Sequence, residues 1–350
     1  MAKKLNKKVA LVVGILLVGI VCVLAGGVVY LKVHRDPDRA LAQARQALEA
    51  GDYKKAESQL GRAFAYGKDD AYKIERLFEL ADFHLIHNAQ HQAEWNKAMG
   101  CWSKIVSIDT NNVQARRKLL DFYYQAAEAG DARAWQNVLE NTTKLLDTLK
   151  AGQAEPDTTL LTAHAKSLLY IAQRGETTDR RQHLSDCMTI LEQLKEKEPG
   201  NAEVYLLLAE AAGLQGELDT QSGVIRAAEN ARQKALEHLQ AGVERADDKS
   251  AAVANLLRYR LQSTVGDPNG LEAFRAEIET YRTQIQPNDV FWLVVSIAYE
   301  FPGRQSAQAE INQAIEAVRR AHEMKPDNFE YVLRLARLMY RKANAFADAA

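Results

Sequence analysis

Three histidines are the residues whose spacing comes nearest to that of a chemical site. His84, His87 and His91 follow one another at i, i+3 and i+7, so a helix through this segment would bring all three to one face. Imidazole nitrogens are typical ligands of zinc or copper, and Asp82 or Glu94 would add a carboxylate. The competing interpretation is packing, because His84 falls at an aromatic packing position and the other two lie at a helix end or in its loop. Packing is favoured, and we predict no metal site and no cofactor.

No catalytic motif accompanies these histidines. The sequence contains no glycine-rich phosphate loop, no HExxH zinc motif and no nucleophile elbow. Its carboxylates are mixed with basic residues along predicted helices, as in residues 192–198, and such a pattern is typical of a solvated face. Three cysteines without a CxxC pair do not make a disulfide framework, and Cys101 and Cys187 are predicted to be buried. We therefore predict a protein that is not an enzyme.

The composition is that of an ordinary helical protein. Apolar residues make up 47% and charged residues 26% of the chain, and only seven prolines interrupt it. Long stretches rich in alanine, leucine, glutamate and arginine with helical periodicity predict helices throughout. The formal net charge is −1, whereas nucleic-acid-binding proteins usually carry a basic excess or stripe. No nucleic-acid partner is expected.

One repeating unit positions these residues, and residues 289–328 show it most clearly. Large residues on a first helix are followed by small residues on a second helix, and Pro326 ends the second helix. Small residues are needed where the second helix crosses the first closely. The positions that carry this pattern are Trp292, Val295, Ser296, Tyr299, Ala314, Val318 and Ala321. The unit resembles the tetratricopeptide repeat (TPR), whose pattern is W-x2-L-G-x2-Y, then A-x3-F, then P.

Degenerate copies of this unit recur along the chain. Gly51 and Asp52 form a predicted turn between helices, and Gly216 is predicted to lie at another such turn. We count about seven repeats between residues 37 and 328, with the start of an eighth at Phe329. The resemblance implies an all-α, TPR-like helix–turn–helix solenoid over residues 37–350, which holds other proteins and has no cofactor.

The amino-terminal residues differ in character from the repeats. Four lysines within residues 1–8 precede an uncharged run from Val9 to Leu31. A helix through these 23 residues would be about 34 Å long, enough for a hydrocarbon core of about 30 Å. A cleaved signal peptide usually has a shorter apolar stretch, and a lipoprotein signal needs small residues where Val21 precedes Cys22. We therefore predict a transmembrane helix at 9–31, followed by a link at 32–36.

The basic residues also predict an orientation. The positive-inside rule places the tail of residues 1–8 in the cytoplasm and the repeats on the far side. By this prediction the chain is a single-pass protein of a bacterial inner membrane with periplasmic repeats, and membrane contact is through residues 9–31. The alternative is that the repeats face the cytoplasm, because Lys32, Arg35 and Arg39 reduce the charge asymmetry.

The resemblance also implies where a partner would bind. In TPR proteins the concave groove is lined by first-helix residues between the packing positions. Carried over to this sequence, an acidic early part, an apolar patch and a basic end suit an amphipathic helix or an extended peptide. The corresponding residues are Glu79, Asp82, Lys118, Asp121, Tyr124, Asn255, Arg258, Leu293, Val294, Ile297, Arg334, Arg337 and Arg341.

Two kinds of function follow from these expectations. The favoured one is a membrane-tethered protein-binding scaffold or adaptor, of the kind found in envelope assembly or protein export. The alternative is a structural subunit locked permanently into one membrane protein complex. Reversible, salt-sensitive binding of many proteins would favour the first, and co-purification at fixed stoichiometry would favour the second.

The last helix carries a further expectation. Val332, Leu335, Ala336 and Met339 are predicted to occupy the packing positions of an eighth first helix. Leu338, Tyr340 and Phe346 would then leave apolar side chains on other faces of this helix. We expect this surface to be covered by another polypeptide or by a continuation of the natural chain, since an uncovered apolar face invites association.

Overall fold

The computed structural model describes residues 35–88, 92–174, 179–264, 268–301 and 307–347. Within these ranges the chain forms fifteen helices and no strand. The helices fall into two compact units that divide between Ala154 and Glu155.

The first unit consists of three helix pairs. In each pair the two helices pack against each other, and the second helix of one pair packs on the first helix of the next. The helices are α1 (Pro37–Glu49), α2 (Tyr53–Ala65), α3 (Asp70–Asn88), α4 (Gln92–Ile108), α5 (Val113–Glu128) and α6 (Ala134–Ala151).

The second unit continues the same scheme with four pairs and one further helix. In the third of these pairs, α11 and α12, the first helix also packs against α13. The helices are α7 (Thr158–Arg174), α8 (Arg180–Lys197), α9 (Ala202–Gln221), α10 (Ile225–Arg245), α11 (Lys249–Thr264), α12 (Pro268–Gln284), α13 (Asp289–Glu300), α14 (Ala307–Met324) and α15 (Phe329–Ala347). Seven helix pairs and an eighth first helix at Phe329 therefore confirm the predicted number of repeats.

Short polar residues set the start of several first helices. Asn112 Oδ1 accepts a hydrogen bond from the Ala115 amide at 3.0 Å, and Asn288 Oδ1 accepts one from the Phe291 amide at 2.8 Å. Each bond satisfies an amide that has no partner inside the helix. The turn before Tyr53 contains Gly51 with φ of +73°, a backbone conformation that glycine adopts without steric cost.

Small buried side chains lie where the helices of a pair cross. Ala314 and Ala321 are fully buried on α14, as the repeat pattern predicts, and Ala98 is fully buried on α4. Cys101 and Cys187 fill similar positions on α4 and α8 and are also buried. Burial raises the pKa of the Cys101 thiol to about 11 and that of the Cys187 thiol to about 12.

Gly216 does not lie at a turn, in contrast to the prediction from sequence. It is inside α9, which continues to Gln221, and it is buried against α10. A Cβ atom at this position would lie 3.1 Å from the Ala228 carbonyl oxygen and 3.4 Å from the Ala231 Cβ. The glycine is therefore required for close approach of two helices rather than for a turn conformation.

The predicted packing register of α15 is also wrong. Tyr331 and Leu338 are the buried residues of this helix, whereas Val332 and Met339 are exposed. The register is displaced by one residue because both sides of the helix are apolar, and periodicity alone does not distinguish them.

No helix in the described ranges is both long and apolar enough to cross a membrane. The most apolar, α13, has 12 residues, about 18 Å against a hydrocarbon core of about 30 Å. The longer α9 carries four acidic residues between Glu203 and Asp219. This finding contradicts the predicted localisation as a single-pass inner-membrane protein with periplasmic repeats, and that localisation is withdrawn. Residues 1–34, which contain the predicted tail and span, lie outside the described residues.

Candidate functional site

In the first unit, the predicted groove residues lie on α3 and α5. Glu79 is half-buried and Asp82 is exposed on α3, while Lys118 and Asp121 are exposed and Tyr124 is half-buried on α5. The Tyr124 ring packs edge-on against Trp135, with 5.9 Å between ring centroids. The two helices thus present side chains of both charges.

Glu79 is already engaged by two arginines of the first unit. Its Oε2 lies 3.1 Å from Arg76 Nη1, and its Oε1 lies 3.9 Å from Arg45 Nη2. Desolvation raises the pKa of the Glu79 carboxyl above its ordinary value, although Arg76 and Arg45 oppose this change. Part of the acidic character expected of this helix is therefore neutralised within the unit.

In the second unit, three successive first helices surround a cavity of about 310 Å³. Its wall is formed by residues of the first helices α7, α9 and α11. Asn255 and Arg258, both predicted from sequence, belong to this wall. The complete lining is Gln173, Leu206, Glu210, Gly213, Leu214, Glu217, Asn255, Arg258 and Tyr259.

The charges in this cavity are unevenly distributed. Two carboxylates, Glu210 and Glu217, face one guanidinium, Arg258. Glu210 is accessible to solvent but is closely surrounded by protein. This desolvation raises its pKa, while Arg258 and then Lys166 act in the opposite direction. Approach of a further cation would therefore stabilise the ionised form of the Glu210 carboxyl.

Gly213 opens the cavity. A Cβ atom there would meet only the Tyr259 ring, at 3.9 Å, which is an ordinary contact distance. Tyr259 is half-buried, and burial raises its pKa. A side chain on Gly213 would therefore project into the cavity without displacing the helices around it.

The prediction from sequence did not include the contributions of α9. Glu210, Gly213 and Glu217 follow one another at helical spacing on the side of α9 away from its fully buried residues Leu208 and Ala212. Asn255 and Arg258 were predicted because they lie between the packing positions of α11, and these three residues lie between the packing positions of α9. The signal was therefore present in the sequence of the fifth repeat.

The predicted apolar patch on α13 is only partly at the surface. Leu293 and Ile297 are half-buried, and Val294 is 1% exposed in the core of the second unit. Val294 is therefore unavailable to a partner, whereas edges of Leu293 and Ile297 remain accessible.

The predicted basic end on α15 is partly neutralised by a glutamate of α13. Both Arg334 and Arg341 bind Glu300, and Arg341 Nη1 lies 2.8 Å from its Oε1. Arg334 Nε also donates to Ser296 Oγ at 3.3 Å. Arg337 is exposed and is the arginine best placed to meet an acidic partner.

The histidine segment forms a polar cluster in the first unit. His84 is buried, and its Nδ1 lies 2.7 Å from Glu94 Oε2. Lys97 Nζ lies 3.0 Å from the same carboxylate and 3.1 Å from Glu57. A lysine thus occupies the place where a cation would bind these carboxylates. The side chain of His87 and all of His91 lie outside the described residues.

The helix pairs decide the fold. Within the described residues, consecutive helices pack in pairs, and small side chains such as Ala98 and Ala314 are buried on second helices, as the repeat resemblance implied. The protein has a TPR-like fold.

Solved structures similar to the chain include TPR proteins. One is a tetratricopeptide repeat protein from Parabacteroides merdae, at 14% identity and a TM-score of 0.42, where the match covers 87% of this chain and 98% of that one. Another is yeast Tom70, at 10% identity and a TM-score of 0.27, covering 88% of this chain and 66% of that one.

A third similar structure is the human IFIT1 dimer with m7Gppp-AAAA, at 12% identity and a TM-score of 0.28, covering 87% of this chain and 78% of that one. No protein-family model matches the sequence, and no curated protein matches it. At these identities and TM-scores, the three structures carry no argument about the partner of this TPR-like chain.

Proposed function

We propose that the chain is a protein-binding scaffold that holds a segment of a partner protein along the first helices of its second unit. The observation that carries this proposal is the cavity bounded by α7, α9 and α11. Its lining residues all belong to first helices, and they combine apolar, aromatic and charged groups.

The cavity chemistry favours a basic side chain of the partner as the anchor. Glu210 and Glu217 would accept hydrogen bonds from a lysine or arginine head group, and charge-assisted bonds of this kind are the strong ones. Leu206, Leu214 and Tyr259 would contact the apolar stem of the same side chain.

The remaining polar groups suit the backbone of the bound segment. Asn255 offers both a donor and an acceptor, and Arg258 offers donors for a peptide carbonyl. Farther along the first helices, Leu293 and Ile297 would contact apolar residues, and Arg337 would contact an acidic one.

The predicted groove residues of the first unit are proposed as a second, separate contact surface. Asp82, Lys118 and Asp121 are exposed there and carry both charges. They would bind a mixed-charge segment, while Glu79 would contribute less because Arg76 already binds it.

The experiment is a peptide-display selection on the full chain, followed by affinity measurements with selected peptides. We expect enrichment of peptides with a central lysine or arginine. Glu210→Gln should weaken their binding about tenfold or more, since a hydrogen bond to a charged group contributes about 1.5–3 kcal/mol. Gly213→Leu should abolish binding by filling the cavity.

The matched control is Glu229→Gln, which removes the same charge from an exposed position on the second helix α10. It should leave affinity unchanged. Circular dichroism would establish that the Gly213→Leu protein is folded. Selected peptides that bind this folded variant as tightly as the natural chain would refute the proposed site.

A further inference from the structure

The last helix of the described chain has an exposed apolar face. Phe329 is 74% and Tyr340 69% exposed on α15, and Val332, Leu333 and Met339 are each at least 40% exposed. Ala336 and Ala343 are also exposed. Spaced three, four and seven residues apart, these residues form a single stripe about 21 Å long, which we call the α15 stripe.

The α15 stripe is distinct from the side of the helix that packs on its own chain. Tyr331 and Leu338 are buried against the cluster formed by α13 and α14. The helix is therefore apolar on two sides, with only one of them covered in the described residues. A contiguous exposed apolar surface of this kind usually marks an interaction site.

We propose that the α15 stripe binds the α15 stripe of a second copy of this chain, in an antiparallel pair with its two-fold axis at Ala336. Two-fold homodimers are the commonest oligomers, and their interface must be complementary to itself. The size and charge of the residues on either side of Ala336 meet this requirement.

Side-chain size is complementary about this centre. An antiparallel pair centred on residue 336 places residues equally far before and after it opposite each other. Phe329 then faces Ala343 of the second copy, Val332 faces Tyr340 and Leu333 faces Met339. The largest ring meets the smallest side chain, and Ala336 meets itself where the helices approach most closely, as close packing requires.

Opposite charges meet at two places along one edge of the same stripe, and like charges, Arg337 of the two copies, meet once near its centre. Glu330 and Arg341 lie on the same side of α15, near opposite ends of the stripe. The two-fold rotation keeps each edge on its own side, so Glu330 of one copy would lie within one residue of Arg341 of the other. The Arg341 side chain is 48% exposed and retains donors beyond the one bound to Glu300. In a parallel pair, identical residues would lie at the same level on opposite edges, so Glu330 would not meet Arg341 of the other copy.

Site-specific disulfide formation in the full chain tests this arrangement. Ala336→Cys should give a crosslinked dimer under mild oxidation, because a disulfide needs Cα atoms about 4.4–6.8 Å apart. Ala343→Cys alone should not crosslink, because its two copies would be about 21 Å apart along the helices. A mixture of Phe329→Cys and Ala343→Cys proteins should form the mixed dimer. Each variant would carry Cys22→Ser, and Cys101 and Cys187 are buried in the fold and should not contribute.

Sedimentation of the full chain is a second measurement, which needs no new thiol and should show a dimer that forms as the protein concentration rises. Leu333→Glu should place a charge in the stripe and abolish Ala336→Cys crosslinking when the two changes are combined. Arg319→Glu, a change at an exposed position on α14, should leave crosslinking intact. A monomer at all concentrations, self-crosslinking of Ala343→Cys, or crosslinking that survives Leu333→Glu would each overturn the proposal. If a different protein or a further segment covers the stripe, the chain would be a monomer at all concentrations.

Discussion

Arg275 on α12 donates a hydrogen bond to Glu310 on α14, with 2.9 Å between Nη1 and Oε1, and both side chains are almost fully buried. The same guanidinium donates through Nη2 to the carbonyl oxygens of Ala298 at 3.0 Å and Phe301 at 2.8 Å. These carbonyls lie at the carboxyl end of α13, where they have no partner within the helix. One arginine therefore joins three helices of the second unit.

Breaking this buried pair should destabilise the second unit strongly. Arg275→Met takes the guanidinium donor away from the buried Glu310 carboxylate and from two helix carbonyls, at a cost of about 3–5 kcal/mol. The free energy of unfolding, measured with urea, would show the loss. Glu279→Gln breaks an exposed pair with Arg282 and should change the free energy by about 0.5 kcal/mol or less. Equal effects of the two substitutions would contradict the structural role of Arg275.

Two glycines of α9 should respond differently to the same substitution. Gly213→Ala should stabilise the protein by about 0.5–1 kcal/mol, because alanine has the higher helix propensity and its Cβ fits there. Gly216→Ala gains the same propensity but places a Cβ 3.1 Å from the Ala228 carbonyl oxygen. Thermal unfolding should rank the Gly216→Ala protein below the Gly213→Ala protein, and the reverse order would contradict the described packing of α9 on α10.

The free energy of unfolding should depend on pH through the Asp289 carboxyl. Burial acts to raise the pKa of this carboxyl, but hydrogen bonds from Tyr331 (2.6 Å) and Lys325 (3.1 Å) hold it below the ordinary value of 3.8. Because its pKa is lower in the folded state, the ionised Asp289 carboxyl stabilises the fold at pH values above its pKa in the unfolded chain. This stabilisation is lost as the pH falls through the folded pKa. The stability difference between the natural chain and Asp289→Asn should therefore shrink as pH falls below 3.8. A constant difference would contradict the prediction.

The arginines of α15 should separate into structural and binding roles. Arg334→Ala should lower the free energy of unfolding by about 1 kcal/mol or more, because it removes partly buried hydrogen bonds to Glu300 and Ser296. Arg337→Ala should leave stability within about 0.5 kcal/mol, because the side chain is exposed. In affinity measurements with an acidic peptide that binds the second unit, Arg337→Ala should weaken binding. An unchanged affinity would exclude Arg337 from the binding surface.

The helix pairs could be predicted because their signals are local. Ala314 and Ala321 recur at the spacing of two helical turns, and Pro326 follows the helix that carries them. Gly216 could not be placed in this way, because a glycine at a turn and a glycine at a close crossing look alike in sequence. Only Ala228, on the neighbouring helix, distinguishes the two cases.

The candidate site was less accessible to prediction than the fold. Asn255 and Arg258 followed from their register, but the cavity beside them depends on an absent side chain at Gly213 and on three helices far apart in sequence. The neutralisation of Arg341 by Glu300 likewise joins residues 41 positions apart. Such relationships are set by tertiary packing, which a local pattern does not record.

The two buried cysteines give each unit a natural kinetic probe. Thiolate is the reactive form of cysteine, and the raised pKa values of Cys101 and Cys187, about 11 and 12, keep both thiols protonated near neutral pH. Alkylation of either one must therefore wait until the helices around it separate. Because Cys101 lies in the first unit and Cys187 in the second, labelling rates measured at these two thiols would report separately how often each unit opens.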